Sequence, residues 1–122
     1  MNCPKCQSGM EKITFAEIEV DRCTDCKGIW FEMLEHEKLK EIEGSEAIDI
    51  GDPEIGKKNN EITNVNCPCC QTPMVSMAVL KQPHIRFESC TSCYGAFFDA
   101  GEFTDYKDES LTENLKDLFR KR

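Results

Sequence analysis

Nine cysteines stand in the 122 residues, and eight of them form four Cys-x2-Cys pairs: Cys3 and Cys6, Cys23 and Cys26, Cys67 and Cys70, Cys90 and Cys93. Two residues between cysteines let one tight turn aim both sulfurs at a single point while its backbone N–H groups stabilise the thiolates. Two such turns complete a tetrahedral site. The pairs are 16 residues apart in the first half and 19 in the second, the spacing of four-cysteine zinc sites. Cys3, Cys6, Cys23 and Cys26 are therefore expected to hold one zinc ion, and Cys67, Cys70, Cys90 and Cys93 a second. Disulfides are the alternative. The odd count, the close pairing and a start at Met1-Asn2-Cys3-Pro4 with no apolar leader favour thiolates in the cytosol instead.

The two sites belong to two copies of one unit. "CPKCQSGM" at Cys3 recurs 64 positions later as "CPCCQTPM" at Cys67, and "CTDCKGIWFE" at Cys23 recurs 67 positions later as "CTSCYGAFFD" at Cys90. The second copy has gained three residues between its pairs. Its extra cysteine, Cys69, falls where the first copy has Lys5, so Cys69 is the one left over.

The elements that must hold these sulfurs can be read around them. Pro4 and Pro68 pre-set one backbone angle of the first turn in each copy, and Gly28 and Gly95 are expected to supply a positive φ after the second. Ile13 and Phe15, then Ile18 and Val20, alternate with polar residues about a turn at Ala16-Glu17. Val75, Met77 and Val79, then Ile85 and Phe87, do so about a turn expected at Gln82-Pro83-His84. Hairpins this short are marginal alone. Each second pair leads to a helix start, with Asp99 and Glu102 as a capping box and Glu32 and Glu35 in the same places. The first helix is expected to run through Leu34, Leu39 and Ile42 and stop near Gly44. Trp30 and Phe97, at equivalent positions, are placed to cover a zinc site and fill a small core.

These motifs resemble the transcription factor IIB-type zinc-finger family: CPxC, a hairpin ending near V-x-x-C-x-x-C, then G-x-W-[LF]-[DE]-x-G-E-L. The likeness covers about residues 2–42 and 66–106. Leu34 stands where that family has glycine and Phe97 where it has tryptophan. The resemblance implies a zinc-ribbon fold and the eight cysteine ligands named above, and it implies no activity. Ribbons of this type serve many proteins as contact modules.

The fold class expected is a small metal-stabilised α+β protein of two tandem zinc ribbons, each a short β-hairpin with two Cys knuckles followed by a short helix. Residues 1–43 form the first ribbon with its helix, 44–65 an acidic linker, 66–109 the second ribbon with its helix, and 110–122 a C-terminal amphipathic helix. In the linker Ile48, Ile50 and Ile55 are available to pack on a ribbon. In the tail Ser110 and Glu113 form a capping box, and Leu111, Leu115, Leu118 and Phe119 line one face. Packing on its own ribbon is the plainer reading of that helix, and dimerisation through it the sharper one.

Charge narrows the function. The formal net charge is -8, and two four-cysteine zinc sites would take it to about -12, because each site loses four protons and gains a dication. The expected partner is another protein, one with a basic surface, rather than nucleic acid, whose phosphates call for clustered Lys and Arg. No apolar run approaches a membrane span. A Cys-Pro-x-Cys pair is also the layout of dithiol oxidoreductases, but no βαβ setting surrounds Cys3 or Cys67. Zinc catalysis needs an open coordination position, which a four-cysteine site lacks. His36 and His84 are not needed as ligands, and no catalytic residues are expected. The reading is a structural-zinc protein-interaction module, with a nucleic-acid or transcription-machinery adaptor second and a thiol-based zinc or redox sensor third.

Overall fold

The computed structural model of the chain describes residues 1–108; the helix expected over 110–122 lies outside the described residues. Strands β1 (Met10–Phe15), β2 (Ile18–Cys23) and β3 (Ile29–Phe31) are followed by helix α1 (Glu35–Lys40), a 3-10 turn at Ser45–Ile48 and helix α2 (Pro53–Asn60). Strands β4 (Val75–Val79), β5 (Gln82–Ser89) and β6 (Ala96–Phe98) and helix α3 (Glu102–Lys107) complete the second copy.

The two copies share one six-stranded antiparallel sheet in the order β1-β2-β3-β6-β5-β4. They join at β3 and β6, where Trp30 faces its own counterpart Phe97. Pairing like with like makes the join an approximate two-fold axis. Period-two alternation then sorts the side chains. Trp30 and Phe97 point to the face that carries the cysteines, with Val65 and Met74 packed among them. Ile29, Phe31, Ala96 and Phe98 point to the opposite face, where Leu39 of α1 and Phe103 and Tyr106 of α3 close over them.

The first hairpin turns at Ala16-Glu17, with φ of 50° and 67°, the left-handed pair that suits a two-residue loop. The second departs from expectation. Its turn lies at Leu80-Lys81, because Val79 faces Gln82 while Ala78 faces Arg86. Pro83, His84 and Ile85 are left as the extra residues of a bulge in β5. These are the three residues the second copy has gained, and the bulge drives Ile85 into the core at 1% exposure.

The linker is ordered more fully than its composition suggests. Asp52 caps α2 by accepting from Glu54 N at 2.9 Å, and Pro53 holds the first helical position. Of its isoleucines only Ile48 is buried; Ile50 and Ile55 stay exposed. What docks α2 is close backbone approach, since a Cβ on Gly56 would collide with the carbonyl of Ala100. No described helix is long and apolar enough to cross a membrane.

Candidate metal centres

Each site is assembled from two turns. The Cys3 turn closes with Gln7 N donating to Cys3 O at 2.9 Å, and the Cys67 turn with Gln71 N donating to Cys67 O at 2.9 Å. Backbone N–H groups then converge on sulfur: Lys5 N on Cys3 Sγ at 3.4 Å, Cys26 N on Cys23 Sγ at 3.4 Å, Cys70 N on Cys67 Sγ at 3.2 Å and Cys93 N on Cys90 Sγ at 3.4 Å. Such bonds favour the thiolate over the thiol.

The structure brings Cys3, Cys6, Cys23 and Cys26 together, and separately Cys67, Cys70, Cys90 and Cys93, with all sulfurs of a group within 4.8 Å of one another. None of the nine cysteines forms a disulfide. Sulfurs at about 2.3 Å from one ion at tetrahedral angles lie about 3.8 Å apart. The Cys3–Cys26 and Cys67–Cys93 pairs, at 3.7 and 3.8 Å, have that edge length, and Cys6–Cys23, at 3.3 Å, is closer than it; four sulfurs converging within 4.8 Å are the donor set for one zinc per group. A bound zinc would cross-link two turns and supply no open position for chemistry. Cys69 remains outside both groups, as its alignment with Lys5 requires, and unlike Lys5 it is exposed.

The thiols titrate unequally. The Cys3 thiol beside it brings Cys26 down to about 5, while Cys3 itself is pushed up by holding that contact and by burial. In the second group burial pushes Cys67 up to about 12, whereas at Cys90 the backbone N–H groups of Cys93 and Ser92 outweigh burial and bring it down to about 6. One thiol per group is thus poised to ionise first, and the protons still held must leave as a cation enters. Metal affinity therefore weakens as pH falls.

Gly28 and Gly95 follow the second turns, but their role differs from the one expected. The positive φ belongs to the residues before them, 65° at Lys27 and 61° at Tyr94. A Cβ on Gly28 would overlap the ring of Phe97, and a Cβ on Gly95 the ring of Trp30. Each copy's ring therefore lies on the other copy's zinc turn. Sequence alone placed both rings near zinc; only the strand pairing shows that they are exchanged.

The family model for the transcription factor zinc-finger matches residues 2–42 and 66–109, the two segments that carry these sulfur groups. The chain belongs to that family. No curated protein matches it, and no solved structure does. The family's glycine and tryptophan positions now have physical content. Gly101 has a φ of 86°, and Leu34, in the same place, is held at 66°. Phe97 keeps the ring that the exchange needs.

The capping box expected at Asp99 is not formed, and this is the signal sequence reasoning missed. Asp49 of the linker caps α3 instead, accepting from Gly101 N, Thr104 N and Thr104 Oγ1, each at 2.9 Å. Asp99 is free to face Lys5, whose Nζ lies 3.2 Å from Asp99 Oδ2 and 2.5 Å from Glu88 Oε1. Lys5 also donates to the carbonyls of Asn59 and Ile62 at 2.6 and 2.9 Å, where the negative end of α2 favours a cation. A zinc turn of the first copy, the linker helix and the second copy meet on one buried ammonium. Burial pushes Asp99 up to about 7 against the pull of Lys5. In the first copy the box is half made, with Glu35 Oε1 accepting from Glu32 N at 2.8 Å.

Proposed function

We propose that this protein is a zinc-stabilised interaction module whose partner is another protein with a basic surface. The observation that carries this is electrostatic. The chain's net charge is -8 without metal, and several of its cations are engaged by its own acids: Lys5 by Glu88 and Asp99, Lys12 by Glu19 and Asp21, Arg22 by Glu11, and Lys107 by Glu46. Surfaces of this sign attract cationic partners and slow encounter with phosphate backbones. Closed four-cysteine groups support a structural rather than catalytic use of zinc. Native mass spectrometry of the protein drawn from its own cell, in parallel with salt titration of the retained partner, is the test. A co-purifying basic protein released by raising salt supports the reading, and a zinc-loaded chain that retains no partner at low salt opposes it.

The family's description, a transcription factor zinc-finger, favours a second reading as a transcription-machinery adaptor. Binding of labelled duplex or single-stranded DNA at micromolar protein in near-physiological salt would favour that reading over the first.

A further inference from the structure

The two-fold relation offers the linker two equivalent surfaces, and it occupies one. On the covered surface the linker crosses Lys27 and Ala100 at Gly51, where an added Cβ would meet both side chains, and Gly56 and Pro53 of α2 lie on Ala100 and Gly101. Asn60 donates to Glu102 Oε1 at 2.9 Å, and the helix ends with its carbonyls on Lys5. At the repeat offsets the matching residues of the other half are Tyr94, Met33, Leu34, Glu35 and Cys69. Tyr94, Met33 and Leu34 are 59%, 54% and 48% exposed, so three apolar side chains stand open where their counterparts are crossed by the linker. Apolar exposure gathered on one surface marks a contact site.

The open surface also lacks a cation. Lys5 answers Glu88 and Asp99 on the covered side, whereas Cys69 brings no charge to their counterparts Asp21 and Glu32. Asp21 has the exposed Lys12 at 3.6 Å, and Glu32 has no cation within ion-pair distance among the described residues. Trp30 Nε1, buried beside Cys69, makes no hydrogen bond of ordinary length and angle among the described residues, and its counterpart Phe97 has no such donor. We propose, on the reading above of a basic protein partner, that its contact with this chain is a short helix seated on the open surface, with Lys or Arg where α2 has Asn60. The cation of that helix meets Glu32 and Glu35, and its carbonyl end faces the unmet Trp30 donor, as the end of α2 faces Lys5. Met33 and Leu34 replace Ala100 and Gly101, so side-chain packing fills the seat in place of close backbone approach.

The test titrates the full-length zinc-loaded protein with two synthetic peptides, one copying residues 49–62 and one copying them with Asn60→Lys. Trp30, the sole tryptophan, reports occupancy by its emission, and amide shifts locate the peptide. The Lys peptide should bind about fivefold more tightly than the other, the gain from one part-exposed ion pair. Shifts are expected at residues 32–35, 69 and 94 and not at Ala100. In Cys69→Lys, which gives the open surface the cation of the covered one, the order of the two peptides should reverse. Absence of binding by either peptide, shifts centred on Ala100 and Gly101, or an order that does not reverse would overturn the inference, as would a second copy of the chain found on this surface by native mass spectrometry. A basic partner retained equally by wild type and by Met33→Asp/Leu34→Asp would keep the reading of a basic partner and overturn its placement here.

Discussion

Lys5 and Cys69 stand at the same step of the same turn in two copies of one ribbon, and the molecule uses them in opposite ways. Lys5 is a buried cation serving Glu88, Asp99 and the end of α2. By the repeat offset the matching acids around Cys69 are Asp21 and Glu32; partial desolvation of this largely exposed thiol raises its pKa, and the charges of Glu32 and Asp21 add to that. Asp21 finds its cation elsewhere, in Lys12 at 3.6 Å. The linker explains the divergence. It occurs once, so only one of two related pockets receives a helix end whose carbonyls need a donor. Cysteines must be kept in both copies because tetrahedral geometry needs all four; the residue between them follows whatever packs above it.

The comparison breaks most completely through the metal. Zinc binding in small ribbons is worth roughly 10 to 16 kcal/mol, more than the roughly 5 to 15 kcal/mol by which whole domains are stable. Cys23→Ser or Cys90→Ser is expected to unfold both copies, because each zinc turn is roofed by the other copy's ring. Circular dichroism with native mass spectrometry checks this. A variant that keeps one zinc and half of its strand signal would mean that the copies are independent.

Lys5→Met comes next. It leaves Glu88 and Asp99 buried without their cation, and breaking such a pair costs about 3 to 5 kcal/mol. Changing Glu88→Gln and Asp99→Asn as well should recover much of the loss. Cys69→Lys, at the exposed position, should shift stability by less than about 1 kcal/mol. Urea unfolding of the four proteins sharpens the contrast, and equal effects at positions 5 and 69 would remove it.

Much of this was legible in the sequence because some requirements are local. Ligand spacing, the Ala16-Glu17 turn and the ring positions each follow from residues a few places apart. What was not legible depends on partners far along the chain. Asp49 displaces Asp99 as the cap of α3 by reaching Gly101, 52 positions away, and the freed Asp99 then meets Lys5, which is 94 positions distant. The Gly28 and Gly95 roles were misread for the same reason, since a glycine kept for φ and one kept for a ring's approach look alike in sequence. The β5 bulge was also hidden: Pro83 signals a turn, and only the pairing of Val79 with Gln82 shows that the chain has already turned.

His36 and Phe103 form a third pair of counterparts, both set among aromatic rings. His36 lies 5.5 Å from Phe98, 5.6 Å from Phe87 and 5.9 Å from Tyr106, and its buried Nδ1 has no hydrogen-bond partner among the described residues. Burial lowers its pKa below the ordinary 6.5. The unfolded chain therefore takes up a proton that the folded one refuses, so this contribution to stability is full above about 6.5 and is lost progressively as pH falls below that value towards the lower folded one. His36→Phe, which copies Phe103, should remove this contribution. Urea midpoints compared between about pH 7.5 and about pH 6, with zinc occupancy followed in parallel, should fall further in wild type than in the variant.

The smallest effect tests the closest match between the copies. Leu34 and Gly101 both sit in the left-handed region, at φ 66° and 86°, just before their helices. A side chain there strains the backbone by roughly 1 to 2 kcal/mol, while glycine adopts it freely but costs more entropy to order. Leu34 is 48% exposed, so deleting its side chain forfeits little burial. Leu34→Gly should therefore raise stability by about 0.5 to 1 kcal/mol. The reverse exchange is not its mirror image. A Cβ at Gly101 would press on Pro53 of α2, so Gly101→Ala carries a packing cost in addition to the strain. If thermal unfolding showed Leu34→Gly to be destabilising, the leucine would have to be making a contact on its exposed side that has no counterpart in the second ribbon.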